Sequence, residues 1–311
     1  MNTPILHHYP ASPFAEKARL MLGHKRLAWH SVIIPSIMPK PDLMPLTGGY
    51  RRTPVLQVGA DIYCDTALIA RVLERMHPSP TMYSDHGAAS DLALALFGDQ
   101  QMFSAAVGYA MQPAGLAVMF AGLSREELDA FSEDRKNFRK GASTLRMSLA
   151  DATALLMWVL PRLDAQLSDG RHYLAGETVR AVDFSVYHPL WFIQRAGPMA
   201  GVLEPYPHLR GWLGRIAAIG HGSPTTMSGQ QAIDVARASV PALLPGRSLR
   251  EVDGAGVGDV VSVAPTDYGV DAVTGTLANA DAESIAVRRT DPRVGDVVVH
   301  FPRHGFRVAP A

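Results

Sequence analysis

The sequence predicts three successive units: a small α/β unit over residues 1–80, an all-α helical bundle over 86–240, and a small all-β, barrel-like unit over 247–311. Three observations carry that division. Hydrophobic spacing alternates between the strand and helix repeats up to residue 80; strand-like runs then vanish; and valine- and glycine-rich runs with turn pairs such as Asp253-Gly254 and Tyr268-Gly269 take over after residue 246. The polar, proline-bearing stretches "HPSPTMYSD" (77–85) and "VPALLPG" (240–246) read as the linkers between them.

In the first unit "PILHHY" reads as a strand, Pro13 to about His24 as an amphipathic helix with Phe14, Ala18, Met21 and Leu22 on one face, and "AWHSVII" as a second strand. A Pro/Gly-rich loop, "PSIMPKPDLMPLTGGYRR", leads to two short strands around Gly59-Ala60, and Asp65 to about Met76 follows as a helix. The order β-α-β-loop-β-β-α, ending in a hairpin and a helix, matches the thioredoxin-like topology better than a doubly wound nucleotide fold. In the second unit the clearest helix runs from Ser143 to Leu167, with Leu145, Leu149, Leu156, Leu160 and Leu163 at helical spacing and Pro161 inside it. "RAVDFSVYHPLWFIQRAG" is apolar enough to lie at a bundle centre. In the third, "DVVSV", "SIAVRR" and "DVVVHF" read as strands, and Val-Gly-Asp-Val-Val occurs at 257–261 and again at 294–298, so two strands are expected to begin through the same kind of turn.

Composition narrows the function. Hydrophobic residues make up 47% and charged residues 19% of the 311, as in folded soluble proteins. Lys plus Arg equals Asp plus Glu at 29 each, so no overall field draws the chain to nucleic acid or to an anionic membrane. Residues 247–311 hold seven arginines, Arg247 and Arg250 among them, against nine acids, the wrong sign for phosphate binding. No run approaches the roughly 18 apolar residues of a membrane helix, and the N-terminus has no signal-peptide pattern, so a cytoplasmic location is expected. With Cys64 as the single cysteine, no internal disulfide or cysteine-cluster metal site is available. His7 and His8 lie on opposite faces of a strand, Pro302 interrupts the spacing of His300 and His304, and "GAGVGD" (254–259) leads into a strand rather than opening a helix after one. No metal and no dinucleotide are expected.

Chemistry gathers around "YPASPFAEKARLML". Ser12 followed by Pro13 is a helix start, and capping alone accounts for it. Three further features give it company: Thr53-Pro54, where a proline at a strand start can be cis; Cys64-Asp65-Thr66, where strand gives way to a helix N-terminus able to receive a carboxylate; and a topology that brings the first helix, this proline and the last helix to one sheet edge.

At these residues the chain resembles the cytosolic glutathione transferases over residues 1–240. "SPFAEKARLML" is similar to the first-helix signature of the omega and tau branches, "RRTPVL" to the cis-proline motif, and "CDTALIARVLE" to the acidic-Ser/Thr glutathione motif. The resemblance implies that Ser12 donates a hydrogen bond to the glutathione sulfur, that the Thr53 backbone pairs with the cysteinyl part beside a cis Pro54, and that Asp65 with Thr66 holds the γ-glutamyl end, with Phe14 and Arg52 in the binding set and Arg51 or Arg52 meeting the glycyl carboxylate. It further implies attack of glutathione thiolate on an electrophilic small molecule, in detoxification, by a homodimer. Omega members carry cysteine where Ser12 stands, so thiolate stabilisation rather than disulfide exchange is expected. Arg180 stands where the family caps a core helix with Ser or Thr three residues before Asp183, a loss worth about 1 kcal/mol. Tyr9 rivals Ser12 as the thiol's partner, though the register of "LHHYPASPF" favours Ser12. Met111, Phe103 and Tyr109 fall on an early bundle helix and are given no substrate role. Two alternatives stay open: a non-enzymatic adaptor using this fold, and a glutathione-dependent isomerase, dehalogenase or ether-cleaving lyase using the same thiolate. The β unit lies outside the resemblance and is expected to serve packing or partner docking.

Overall fold

The structure, a computed structural model, describes residues 3–84, 89–144, 146–242 and 251–311. Asp85, Leu145, positions 243–246 of the second linker, and Arg247 and Arg250 lie outside the described residues.

The N-terminal unit is thioredoxin-like, in the order the periodicity predicts. Strand β1 (Ile5–His8) is wholly buried and pairs parallel with β2 (Ala28–Ile33) and antiparallel with β3 (Val55–Val58), which continues into β4 (Asp61–Cys64). Gly59, at φ +63°, makes the tight β3–β4 turn, a conformation that costs glycine nothing. Helix α1 (Pro13–His24) starts at Ser12, and a short helix α2 (Met44–Thr47) lies in the Pro/Gly-rich loop. Helix α3 (Thr66–Met76) buries Leu68, Ile69, Val72 and Leu73, its apolar stripe.

The helical unit comprises α4 (Ala89–Phe97), a π-helical turn at Gly98–Met102, α5 (Phe103–Ala110), α6 (Pro113–Met119), α7 (Arg125–Phe138), α8 (Leu149–Leu167), α9 (Ala181–Gln194), a 3-10 turn at Gly197–Leu203, α10 (Pro207–Ala217) and α11 (Gly229–Arg237). The expected 143–167 helix begins later, at Leu149, because the Ser148 hydroxyl accepts from the Asp151 N–H (3.1 Å) and so marks the true cap. Helix α9, buried from Val182 to Leu190, is the central helix that its composition predicts. Its N-cap Arg180 contributes no side-chain cap bond, as expected. Asp183 reaches back to accept from the Arg180 N–H (2.9 Å), and also accepts from Leu174 N–H and Trp212 Nε1. One strand inside this unit escaped the sequence reading: β5 (Ser223–Thr226), "SPTT", is fully exposed, has no apolar alternation, and pairs parallel with β2.

The C-terminal segment forms β6 (Glu251–Val252), β7 (Ala255–Gly256), β8 (Val260–Pro265), β9 (Val273–Ala280), β10 (Ser284–Asp291), β11 (Gly295–Pro302) and β12 (Phe306–Pro310). The expected β-rich region is present, and the two Val-Gly-Asp-Val-Val copies lead into β8 and β11 through Gly258 and Gly295, both at positive φ (+103° and +74°). It differs from the expected barrel-like unit in remaining open and joined to the first unit. Strand β11 pairs parallel with β4, Val298 opposite Asp61 and His300 opposite Tyr63, giving one open ten-stranded sheet in the order β12-β8-β9-β10-β11-β4-β3-β1-β2-β5. An uncovered β4 edge would present unpaired backbone groups, and β11 satisfies them. The core is shared accordingly: Ile5, Val55 and Ile62 pack in one cluster with Val287, Val297, Val299 and Phe301. A buried His300–Asp61 pair (2.8 Å) and a stacked Tyr63–His300 contact (4.5 Å between ring centres) cross the seam. The opposite side of the first sheet belongs to a second cluster, where Leu6, α1 and α3 meet α5, α8 and α9. Among the described residues no single helix is both long and apolar enough to cross a membrane.

Candidate functional site

The site lies at the sheet edge where α1, the Thr53-Pro54 bond and α3 begin. Ser12 is buried at 3% exposure, and its oxygen accepts from the Ala15 N–H (3.2 Å), which leaves the hydroxyl proton to donate to Tyr9 or to a ligand. Cap and ligand-facing donor are therefore compatible in one hydroxyl. The turn before it is held by the Ser12 N–H on Tyr9 O (3.2 Å) and by Arg19 Nη2 on Pro10 O (3.1 Å). Tyr9 stands beside Ser12. Burial raises its phenol's pKa, while Arg135 and the hydrogen bond with Ser12 offset part of that rise, so the group is a neutral donor. The structure thus brings both rivals for the thiol into one place.

The Thr53-Pro54 bond is cis. At its mouth sits a residue that the sequence reading passed over. The ammonium of Lys40 donates to Arg51 O and to Thr53 Oγ1 (both 2.9 Å), is 3% exposed, and has no carboxylate partner among the described ion pairs. Burial, then the neighbouring Arg135 and Arg51, pulls its pKa down to about 8. Lys40 gave no sequence signal because it lies in an irregular loop.

Asp65 caps α3 by accepting from the Ala67 N–H (2.8 Å) and holds φ +74°, a strained value for a residue with a side chain. Burial raises its carboxyl pKa, with the Ala67 bond, Lys17 and Arg52 offsetting part of the rise. Those two cations are committed elsewhere. Lys17 Nζ binds both oxygens of Asp99 (2.8 and 2.7 Å), and Arg52 binds Asp267 and the Tyr268 carbonyl while lying over the Tyr268 ring at 4.3 Å. Thr66, buried, follows Asp65 at the first position of α3. Phe14 faces the bundle, its ring against Phe103 (4.7 Å) and His188 (4.4 Å).

Among the described residues, then, neither Lys40 beside Thr53 nor Asp65 makes an ion pair of its own, although Asp134 lies near enough to act on the first and Lys17 and Arg52 on the second. Ser12 and Tyr9 offer hydroxyls nearby. Such an arrangement suits an extended peptide-like molecule with opposite charge at its ends. Among the described residues no group of three or more His, Cys, Asp or Glu side chains is placed to hold a metal ion.

Residues 6–81 match the glutathione S-transferase N-terminal domain, and residues 133–215 the glutathione S-transferase C-terminal domain. A crystal structure of a GST-like protein from Pseudomonas syringae is 41% identical, covers 100% of both chains and superposes with a TM-score of 0.84. This chain belongs to the glutathione transferase family.

A glutathione S-transferase from Rhodospirillum rubrum (20% identity, TM-score 0.50, 70% of this chain and 88% of that one) and a β-etherase from a Sphingobium strain (18%, 0.52, 70% and 95%) share the fold. A search of curated protein sequences found no match. The Pseudomonas relative spans this transferase-family chain from end to end, whereas these two cover 70% of it. The sequence reading also missed Asp99, on the π-helical turn, which accepts from Lys17, from His188 Nε2 (3.0 Å) and from Ser185 (3.2 Å). It missed Asp267 and Tyr268 too, because they lie in the segment outside the family motifs. Arg52, expected to meet ligand, has its terminal nitrogens on that segment, while its buried Nε has no hydrogen-bond partner among the described residues.

Proposed function

We propose that the protein binds glutathione and activates its thiol for attack on an electrophilic small molecule. The observation that carries this reading is the placement of Lys40 beside Thr53 and of Asp65 at the start of α3, neither in an ion pair among the described residues. The γ-glutamyl ammonium would pair with the half-buried Asp65 carboxylate, the glycyl carboxylate would meet Lys40, and the cysteinyl part between them would pair with the Thr53 backbone and bring its sulfur to Ser12. Thr66 and the α3 N-terminus suit the γ-glutamyl carboxylate. Family membership supports the same assignment.

The Ser12 hydroxyl donates to the sulfur and favours the thiolate. A free thiol has a pKa near 8.5, and lowering it by about two units favours the reactive form by about 2.7 kcal/mol. The thiolate then forms a carbon–sulfur bond, the leaving group departs with its electron pair, and the thiol proton passes to water. Phe14 with Phe103 supplies an apolar wall on the bundle side for the electrophile.

Calorimetric titration with glutathione beside Ser12→Ala and Asp65→Ala tests the reading. Binding weakened by Asp65→Ala, with a thiolate absorbance lost in Ser12→Ala, is the expected result. No heat and no thermal shift at millimolar glutathione overturns it.

A further inference from the structure

Helix α7 sits on the molecule in an unusual way. Of its residues only Asp134 is buried, Phe131, Arg135 and Phe138 are half-buried, and the others face solvent. Its hold on the N-terminal unit is mainly polar: Arg51 donates to Asp134, the Met38 N–H donates to the same carboxylate (3.0 Å), and Arg135 reaches Ser36 O (3.3 Å). The β8–β9 loop is held in the same manner one residue along, where Arg52 donates to Asp267 and to the Tyr268 carbonyl. These two elements are tied to each other. The Gly269 N–H donates to Phe138 O (2.9 Å), Ser143 donates from its backbone to Asp267 O (2.8 Å) and from its hydroxyl to Thr266 O (2.6 Å), and Phe138 meets Tyr268 edge to face at 5.4 Å. The charges of Arg135 and Asp134 on α7 reach Lys40 and reach Tyr9, the hydrogen-bond partner of Ser12, and Ser12 and Lys40 are each 3% exposed.

We propose that α7 and the β8–β9 loop form one lid over Ser12, latched by the consecutive arginines Arg51 and Arg52 on Asp134 and Asp267. A site this enclosed has to open to admit any peptide, and the elements that open are those with little buried apolar surface. α7 meets that condition. Gly122 (φ +90°) and Gly141 (φ +77°) flank it, in conformations that side chains rarely adopt and at positions suited to absorb a hinge rotation. The Arg52–Asp267 pair keeps solvent contact at its carboxylate (34% exposed), so breaking it costs less than breaking a buried pair, whereas Asp134 is itself buried and makes Arg51–Asp134 the tighter half of the latch. The C-terminal segment thereby controls access to the site as well as packing the sheet. The identity of the ligand rests on the proposed function; the lid does not.

The test uses Ser12→Cys as a chemical probe, with the fully buried Cys64 as internal reference, and compares it with Ser12→Cys carrying Asp134→Asn and Asp267→Asn. Alkylation at each position is followed by mass spectrometry with iodoacetamide and with a bulky maleimide. The readout is the maleimide-to-iodoacetamide rate ratio, because a changed thiol ionisation multiplies both rates alike and cancels. The lid predicts a rise of at least ten-fold in that ratio at position 12 with Cys64 still unlabelled. An unchanged ratio overturns it, and so does parallel labelling of Cys64, which would make the pairs part of the fold rather than a latch. If glutathione fails to bind while the ratio rises, the lid stands and the ligand assignment falls.

Discussion

In the proposed site Lys40 and Asp65 carry charge but make no ion pair among the described residues, which makes them the sharpest places to test it. Burial pulls the Lys40 ammonium down to about 8, so it is charged below that pH and loses its charge as pH rises through it. Affinity for a carboxylate ligand should therefore fall between pH 7 and 9.5. S-methylglutathione, whose sulfur cannot ionise, isolates this effect from thiol titration, and Lys40→Met should bind it weakly at every pH with the slope removed. A slope that survives in Lys40→Met would show that another group sets it. The Lys17–Asp99 pair calls for a different experiment. Burial works to raise the Asp99 carboxyl, but Lys17 and His188 outweigh it and hold it below the usual carboxylate range. Removing Lys17 as Lys17→Met leaves a half-buried carboxylate without its ammonium, so urea unfolding should show a loss of about 1–3 kcal/mol. Loss under 1 kcal/mol would mean that His188 and Ser185 suffice.

Strand β11 is the element on which the molecule depends. Its Val297, Val299 and Phe301 share a core with β1, β3 and β4. Phe301→Ala should cost about 3–5 kcal/mol and lower the melting temperature of the entire protein in a single transition. Two separate transitions, with the second unchanged from wild type, would show instead that the segment folds independently. The reason this strand was readable as a strand but not as a partner of β4 is instructive. Within "DVVVHF" the run Val297–Val299 has no polar alternation, which announces burial on both faces, but hydropathy carries no information on which edge receives it. The same limit hid β5, whose "SPTT" is held by backbone pairing to β2 alone. Helix boundaries followed caps rather than periodicity: α1 began at Ser12-Pro13 as expected, while α8 waited for Ser148.

Over the whole molecule, buried histidines tie stability to pH. His7 and His188 are fully buried, and burial lowers each pKa to about 4 from 6.5, against the opposing pull of Gln57 on His7 and Asp99 on His188. Between pH 6.5 and 4 the unfolded chain binds protons that the folded chain refuses, so stability is complete above 6.5 and declines as pH falls through that window. Each histidine contributes up to about 3 kcal/mol of that decline. The carboxyls of Asp65 and Asp183, raised by burial, act in the opposite sense and offset part of it. Thermal melts from pH 7.5 to 4.5 should show a falling midpoint, with a shallower slope in His7→Gln. A flat profile would contradict the assignment of these groups as neutral in the fold.

Local chemistry was legible in the chain because it is written in neighbouring residues: Ser12 before Pro13, Thr53 before Pro54, and Asp65-Thr66 at a strand-to-helix change each specify a backbone conformation and a donor or acceptor within a few positions. Periodicity likewise announced the thioredoxin-like order and the apolar α9. What folding alone settled are the meetings between distant segments. Lys40 reaches Thr53, Asp99 reaches Lys17, and Asp267 reaches Arg52 across 215 positions. Such pairings depend on which sheet edge is left open and which charge is left without a partner, and those are properties of the assembled core rather than of any stretch of sequence.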